Sequence, residues 1–250
     1  MIDVIMPAHP KDLGTLELCI QSIRKHVEGV RRIILVSNRK LSDNAEWFNL
    51  DLFPFDGDTV RKIHGPSKKN GWFLMQLIKL YAPICIPNLT ENTLSCDTDT
   101  IFLNPVSFMG DNSLPIWTAS FDQAKGKIQH PLNVERFLQK LHPDIYRDNH
   151  IPLIYLNKYK IESISHQMVF QRSILKSLME DVEKHHKHGS FWEIFLKCSD
   201  GHKSGASEHQ LYFLYCLLKH PELFKYRKDF KWKIACEKNF VGEQINLIPE

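Results

Sequence analysis

The run RRIILVSN, residues 31–38, constrains the fold of this 250-residue chain more than any other stretch. Ile33, Ile34, Leu35 and Val36 are consecutive and apolar, with polar residues on both sides. An extended chain with that pattern has two greasy faces, and both must be covered. Central strands of a parallel sheet, with helices on each side, meet that need. Ile2 to Met6 form a similar run, stopped by Pro7 and Pro10. Between the two runs, Leu13, Leu16, Cys19, Ile20, Ile23 and Val27 recur at helical spacing. "NLDLFPFDGD" reads as a weaker third strand ending at Asp56-Gly57. "NGWFLMQLIKLYAP" reads as a helix closed by Pro83. A fourth strand runs into Asp97-Thr98-Asp99, and "PIWTASF" supplies another. The order predicts an α/β fold with a mainly parallel sheet flanked by helices.

Ligands of such sheets bind outside the carboxyl ends of the strands. On this reading the polar ends at His9, Asp56 and Asp97 to Asp99 face one crevice. Asp97 and Asp99 are the informative pair. Burying ionised carboxylates is costly unless they are paired or bind a metal. Side chains two apart in extended chain point the same way, so both can meet one cation. Mg2+ and Mn2+ prefer such oxygen ligands and share them with phosphates. The alternative is an ordinary Asp/Thr turn.

Composition narrows the classes. Hydrophobic residues make up 43% and aromatics 11%, enough for a sizeable core. A net charge of +3, with no basic stripe interleaved with aromatics, argues against nucleic acid as a partner. Cys19, Cys85, Cys96, Cys198, Cys216 and Cys236 form no C-x-x-C pair and read as small core residues. No apolar run approaches the roughly 20 residues that span a bilayer. With no signal-like start, the expectation is a cytoplasmic protein, with peripheral membrane contact open. "HHKH" at His185 to His188 reads as a solvated helix end.

The second half is less regular. "ISHQMVFQRSILKSLMEDVEKHH" reads as a helix carrying Met168, Phe170, Ile174, Leu175 and Leu178. "SEHQLYFLYCLLKH" reads as another, opened by a capping box of Ser207 and Gln210. The loop "KCSDGHKSGAS", residues 197–207, precedes it.

These pieces together resemble the GT-A class of nucleotide-sugar-dependent glycosyltransferases. The carriers are the first strand with its Pro-Ala-His end, "GWFLMQLIKL", "CDTDTIFLNP", "SHQMVF" and "SEHQLYFLY". The set is similar to a group of small bacterial and viral glycosyltransferases and spans Met1 to Leu218. The resemblance implies one GT-A-like domain over residues 1–250. Its first half, 1–110, would hold the nucleotide sugar, and its second, 111–250, the acceptor. It implies sugar transfer from a nucleotide-diphosphate donor to a glycan or other hydroxyl acceptor. Asp97 and Asp99 would hold Mn2+ or Mg2+ against the diphosphate, and His166 would complete the metal shell.

The remaining site residues carry paired readings. Gln76 and Lys79 share one helical face. Lys79 either snorkels or, with Gln76, reaches the donor. Trp72 reads as packing. His9 and Asp56 fall where the resemblance places base and ribose. Glu208 opens the "SEHQLYFLY" helix. It either complements the helix dipole or serves as the general base on the acceptor hydroxyl.

Two rivals remain. "CDTDTIF" also resembles the haloacid-dehalogenase-type phosphatase motif, with Asp97 as nucleophile. Ile101 departs from that motif, and no later paired-Asp strand end follows. A noncatalytic nucleotide- or sugar-binding module is the other.

Overall fold

The computed structural model describes residues 1–110, 115, 117–118, 129–144, 166–223, 226–227 and 232–234. Nine strands are described: β1 (Ile2–Pro7), β2 (Val30–Ser37), β3 (Glu46–Asn49), β4 (Asn92–Cys96), β5 (Thr100–Phe102), β6 (Trp117–Thr118), β7 (Gln167–Gln171), β8 (Tyr226–Arg227) and β9 (Trp232–Ile234). The helices are α1 (Leu13–His26), α2 (Gly57–His64), α3 (Asn70–Cys85), α4 (Gln129–Leu141), α5 (Arg172–His186), α6 (Phe191–Cys198) and α7 (Glu208–Lys219).

The main sheet has the order β3-β2-β1-β4-β7. Its first four strands are parallel, and β7 runs antiparallel to β4 at the edge. Side-chain alternation divides the core as the sequence requires. Val4, Met6, Ile33 and Leu35 turn toward α1, joined by Leu16, Cys19, Ile20 and Ile23. Ile5, Ile34 and Val36 turn to the opposite face, against Phe73, Leu77 and Leu80 of α3 and residues of α5, α6 and α7. Both faces are covered, which is why β2 carries no polar alternation. The exception on β1 is Asp3, fully buried and bound by Arg31 Nε at 2.8 Å and by the Thr90 N–H at 2.8 Å. Burial pushes its carboxyl up, but these bonds outweigh that and hold it below the ordinary range.

Four expectations need correction. The third strand lies earlier than "NLDLFPFDGD", at Glu46–Asn49. Asp56 therefore ends no strand. Its Oδ1 accepts from the Thr59 N–H at 2.7 Å and caps α2, a helix absent from the sequence reading. Pro83 does not close α3, which continues to Cys85. Residues 167–171 are a strand rather than the start of α5. Met168 and Phe170 pack on one face and Val169 on the other, a period of two rather than 3.6. Of "PIWTASF", Trp117–Thr118 is a strand and Phe121 lies outside the described residues. Among the described residues, no helix is long and apolar enough to cross a membrane.

Candidate metal and donor site

The site grows from the end of β4. After Cys96 the chain makes a tight turn, closed by the Thr100 N–H on the Asp97 carbonyl at 3.2 Å, and β5 begins. The turn reading of Asp97-Thr98-Asp99 is thus realised by this backbone. Three small side chains of α1 hold this turn. Thr15 Oγ1 lies 3.2 Å from the Thr98 carbonyl, Cys19 Sγ lies 3.5 Å from the Asp97 carbonyl, and Ser22 Oγ accepts from the Phe102 N–H at 3.2 Å. Thr15, Cys19 and Ser22 stand at i, i+4 and i+7, one helical stripe. Sequence reading missed this role. The available signal was a row of small polar side chains on the apolar face of α1.

Antiparallel pairing brings in His166. In the β4–β7 register Cys96 faces Gln167, so the residue before β7 meets the residue after β4. The Asp97 N–H donates to the His166 carbonyl at 2.9 Å, and His166 Nδ1 lies 3.0 Å from Asp97 Oδ2. Ligand atoms of Asp97, Asp99 and His166 all fall within 4.8 Å of one another.

Lys79 and Glu208 complete the cluster from behind. Lys79 Nζ sits 2.6 Å from Asp97 Oδ1 and 2.8 Å from Glu208 Oε1, with only 8% of its side chain exposed. Gln76, one turn earlier on α3, accepts the Glu208 N–H at 3.0 Å through Oε1. Ser207 caps α7 by accepting from the Gln210 N–H at 3.2 Å. The result is a buried line: Gln76 to Glu208, Glu208 to Lys79, Lys79 to Asp97. Lys79 does not snorkel. Its ammonium lies inside the protein, between two carboxylates.

The charges explain the proton affinities. Burial alone would raise the Asp97 carboxyl. The Lys79 ammonium and the His166 hydrogen bond overcome it and pull the group well below the carboxylate range. Glu208 is lowered in the same way, against its burial, by Lys79 and then His209. Burial disfavours the charged Lys79, yet its two carboxylates raise it above the ordinary lysine value. Asp99 goes the other way. Burial raises it, and the charge of Asp97 raises it further.

Asp99 is the test of whether these residues suit a cation. Its Oδ1 is buried and has no hydrogen-bond donor among the described residues. A buried acceptor without a donor is costly, and a divalent ion would satisfy it. Two carboxylates and an imidazole are a reasonable donor set for Mn2+ or Mg2+. The residues fit.

The remaining expected residues lie elsewhere. His9 follows β1, and its Nδ1 accepts from the Lys11 N–H at 3.2 Å while its own N–H donates to Asp12 Oδ2 at 3.0 Å. Asp56 is engaged at the start of α2, as above. Trp72 packs edge-on to Phe73, with ring centroids 4.9 Å apart.

This fold has solved counterparts. A mannosyltransferase from S. cerevisiae, Ktr4p, superposes with a TM-score of 0.55 over 92% of this chain and 69% of its own, at 10% identity. Mouse xyloside xylosyltransferase 1 in its apo form covers 91% of this chain and 84% of its own, with a TM-score of 0.45 and 10% identity. At such identities the likeness to the mannosyltransferase concerns architecture. No protein-family profile matches the sequence, and no curated protein matches it.

Proposed function

We propose that the chain is a metal-dependent glycosyltransferase that moves a sugar from a nucleoside-diphosphate donor to an acceptor hydroxyl. One observation carries the reading: Asp97, Asp99 and His166 converge at the carboxyl end of β4, with Asp99 Oδ1 left without a donor. The architecture shared with a yeast mannosyltransferase supports it.

In this reading Asp97, Asp99 and His166 hold Mn2+ or Mg2+. When bound, the ion supplies Lewis-acid stabilisation of the departing diphosphate. The protein's own part is to fix the ligands. Lys79 holds Asp97 through Oδ1 and keeps it ionised, so the carboxylate is ready for a cation at any ordinary pH. Thr15 and Cys19 set the backbone of the turn. Lys79 is committed to two carboxylates, so its contribution to the donor is through Asp97. Glu208 shares that ammonium and is held below its ordinary pKa. A general base works best with a pKa near the working pH. We therefore assign Glu208 to positioning Lys79, with its base role as the alternative that a Glu208→Gln variant decides. His9, after β1, stays as a proposed contact for the base, while Asp56, whose Oδ1 caps α2, loses the strand-end position on which its ribose reading rested.

The phosphatase reading is less well supported. Ile101 departs from its motif, and the sequence offers no later paired-Asp strand end for its Mg2+.

The test is a panel of nucleoside diphosphates and nucleotide sugars with Mn2+. Expected are a rise in melting temperature that needs both nucleotide and metal, and slow metal-dependent donor hydrolysis. Both should vanish in Asp97→Asn. Cleavage of a simple phosphomonoester instead, with no nucleotide-dependent shift, would remove the transferase reading.

A further inference from the structure

The helix that carries Lys79 runs from the buried line out to the protein surface. Trp72, Gln76 and Lys79 stand at i, i+4 and i+7 on α3 and form one stripe. Lys79 and Gln76 are the inner members, bonded to Asp97 and Glu208. Seven residues of helix put Trp72 about 10 Å further along the axis. α3 leads into β4, whose far end holds Asp97, so the N-terminal end of α3 lies on the site's side of the sheet. The middle member, Gln76, is 2% exposed, so the inner part of the stripe is sealed and only its outer end reaches the surface.

Two loops meet at this end of α3. Residues 65–69 enter α3, and residues 199–207 enter α7. They are tied by Ser67 Oγ on the Gly201 carbonyl at 2.5 Å, and His64 Nε2 donates to the Leu196 carbonyl at 2.8 Å. The approach is tight enough that a Cβ at Gly201 would stand 2.5 Å from His64 Cβ.

The rim they form is positive. Lys68, Lys69, His202 and Lys203 are all exposed. Residues 61–72 hold four Lys/Arg and no Asp or Glu, against a net +3 for the entire chain. Arg61 and Lys62 suit the C-terminus of α2 and need no further explanation. Lys68 and Lys69 stand ahead of the N-terminus of α3, where a cation is unfavourable. Neither has an acidic partner among the described residues. Lys69 Nζ lies 6.0 Å from the centre of the Trp72 ring, while Asp200 pairs with Lys203 at 3.2 Å and accepts from the His202 N–H at 3.1 Å. A half-buried indole at the rim, beside exposed lysines that have no acidic partner among the described residues, suits a sugar chain bearing negative charge.

We propose that this rim is the acceptor subsite and that it takes a glycan carrying carboxylate or phosphate groups. The inference rests on the transferase reading for its role in catalysis, but binding can be measured apart from transfer.

The experiment uses the full chain in calorimetric titrations with oligogalacturonate, a phosphorylated mannan oligosaccharide and neutral mannohexaose. Phosphatidylglycerol vesicles and a single-stranded oligonucleotide serve as competing polyanions. An anionic oligosaccharide should bind more tightly than the neutral one, and less tightly at high salt. Lys68→Glu with Lys69→Glu should weaken that binding about tenfold, with the Mn2+/nucleoside-diphosphate melting shift unchanged. Trp72→Phe should keep binding, since the stacking face survives. Equal binding of neutral and anionic sugars, or an unaffected charge-reversal variant, overturns the proposal. So does tighter binding of vesicles or oligonucleotide than of any glycan. Glycan binding without a nucleotide shift removes the transferase reading and leaves the rim; a nucleotide shift without glycan binding removes the rim alone.

Discussion

Replacing Lys79 by Met removes one ammonium and leaves two carboxylates behind. The side chain of Glu208 is 8% exposed and that of Asp97 is 23% exposed, so Glu208 suffers more. Breaking a buried ion pair from one side costs about 3–5 kcal/mol. One cation serves both partners, so the two losses do not add. Asp97 also keeps His166 Nδ1 at 3.0 Å, while among the described residues Glu208 keeps His209 Nε2 at 3.6 Å as its remaining ion-pair partner. A loss of about 4 kcal/mol follows, a large part of a typical stability of about 5–15 kcal/mol. The pH dependence carries the sign. In the parent protein both carboxyls are held below their ordinary values, so their stabilising effect is present at neutral pH and fades as pH falls. Without Lys79, burial is the largest influence left on Glu208 and raises it, while Asp97 keeps His166, so acid relieves the variant by protonating Glu208. The gap between the two proteins should therefore be widest near pH 8 and shrink toward pH 4. Urea unfolding across that range measures it. Glu208→Gln added to Lys79→Met should recover a good part of the loss. A gap below about 1 kcal/mol, or one independent of pH, would mean that Lys79 carries no structural charge and would undo the buried-line argument.

Asp99→Asn should raise the melting temperature without metal, because it removes a carboxylate strained by burial and by Asp97, while abolishing the Mn2+-induced shift. In the parent protein Mn2+ affinity should fall as pH drops through the raised Asp99 value, since proton and metal compete for one oxygen; titrations from pH 8 to pH 5 would test it. Asp3→Asn should cost about 1–3 kcal/mol at neutral pH. Its deficit should narrow in acid, because the lowered Asp3 carboxyl stabilises the fold above its unfolded pKa and stops doing so as pH falls; an equal deficit at every pH would refute the Arg31 pairing. Gly201→Ala should destabilise by about 1–3 kcal/mol through overpacking on His64, read as a lower urea midpoint with an unchanged slope.

What the sequence determined by itself is mostly local. The apolar runs at Ile2 to Met6 and Ile33 to Val36 required a sheet covered on both faces, and helical spacing from Leu16 to Ile23 placed α1. Asp97 and Asp99 were visible because carboxylates after an apolar run are chemically conspicuous. Ser207 announced the start of α7 for the same reason. These signals depend on residues near one another in the chain. The tertiary structure decided the rest. Gln167–Gln171 reads as part of a helix until β4 offers an edge, and that pairing is what sets His166 against Asp97. Asp56 looks like a strand end until the next turn of chain folds into α2 and claims its oxygen. Lys79 and Glu208 are 129 positions apart, and each alone has an innocent reading, a stem lying on the surface or a helix-end charge. Their meaning appears only when α3 and α7 pack together. A buried charge is tolerated only with a partner, and no local pattern in the sequence names that partner.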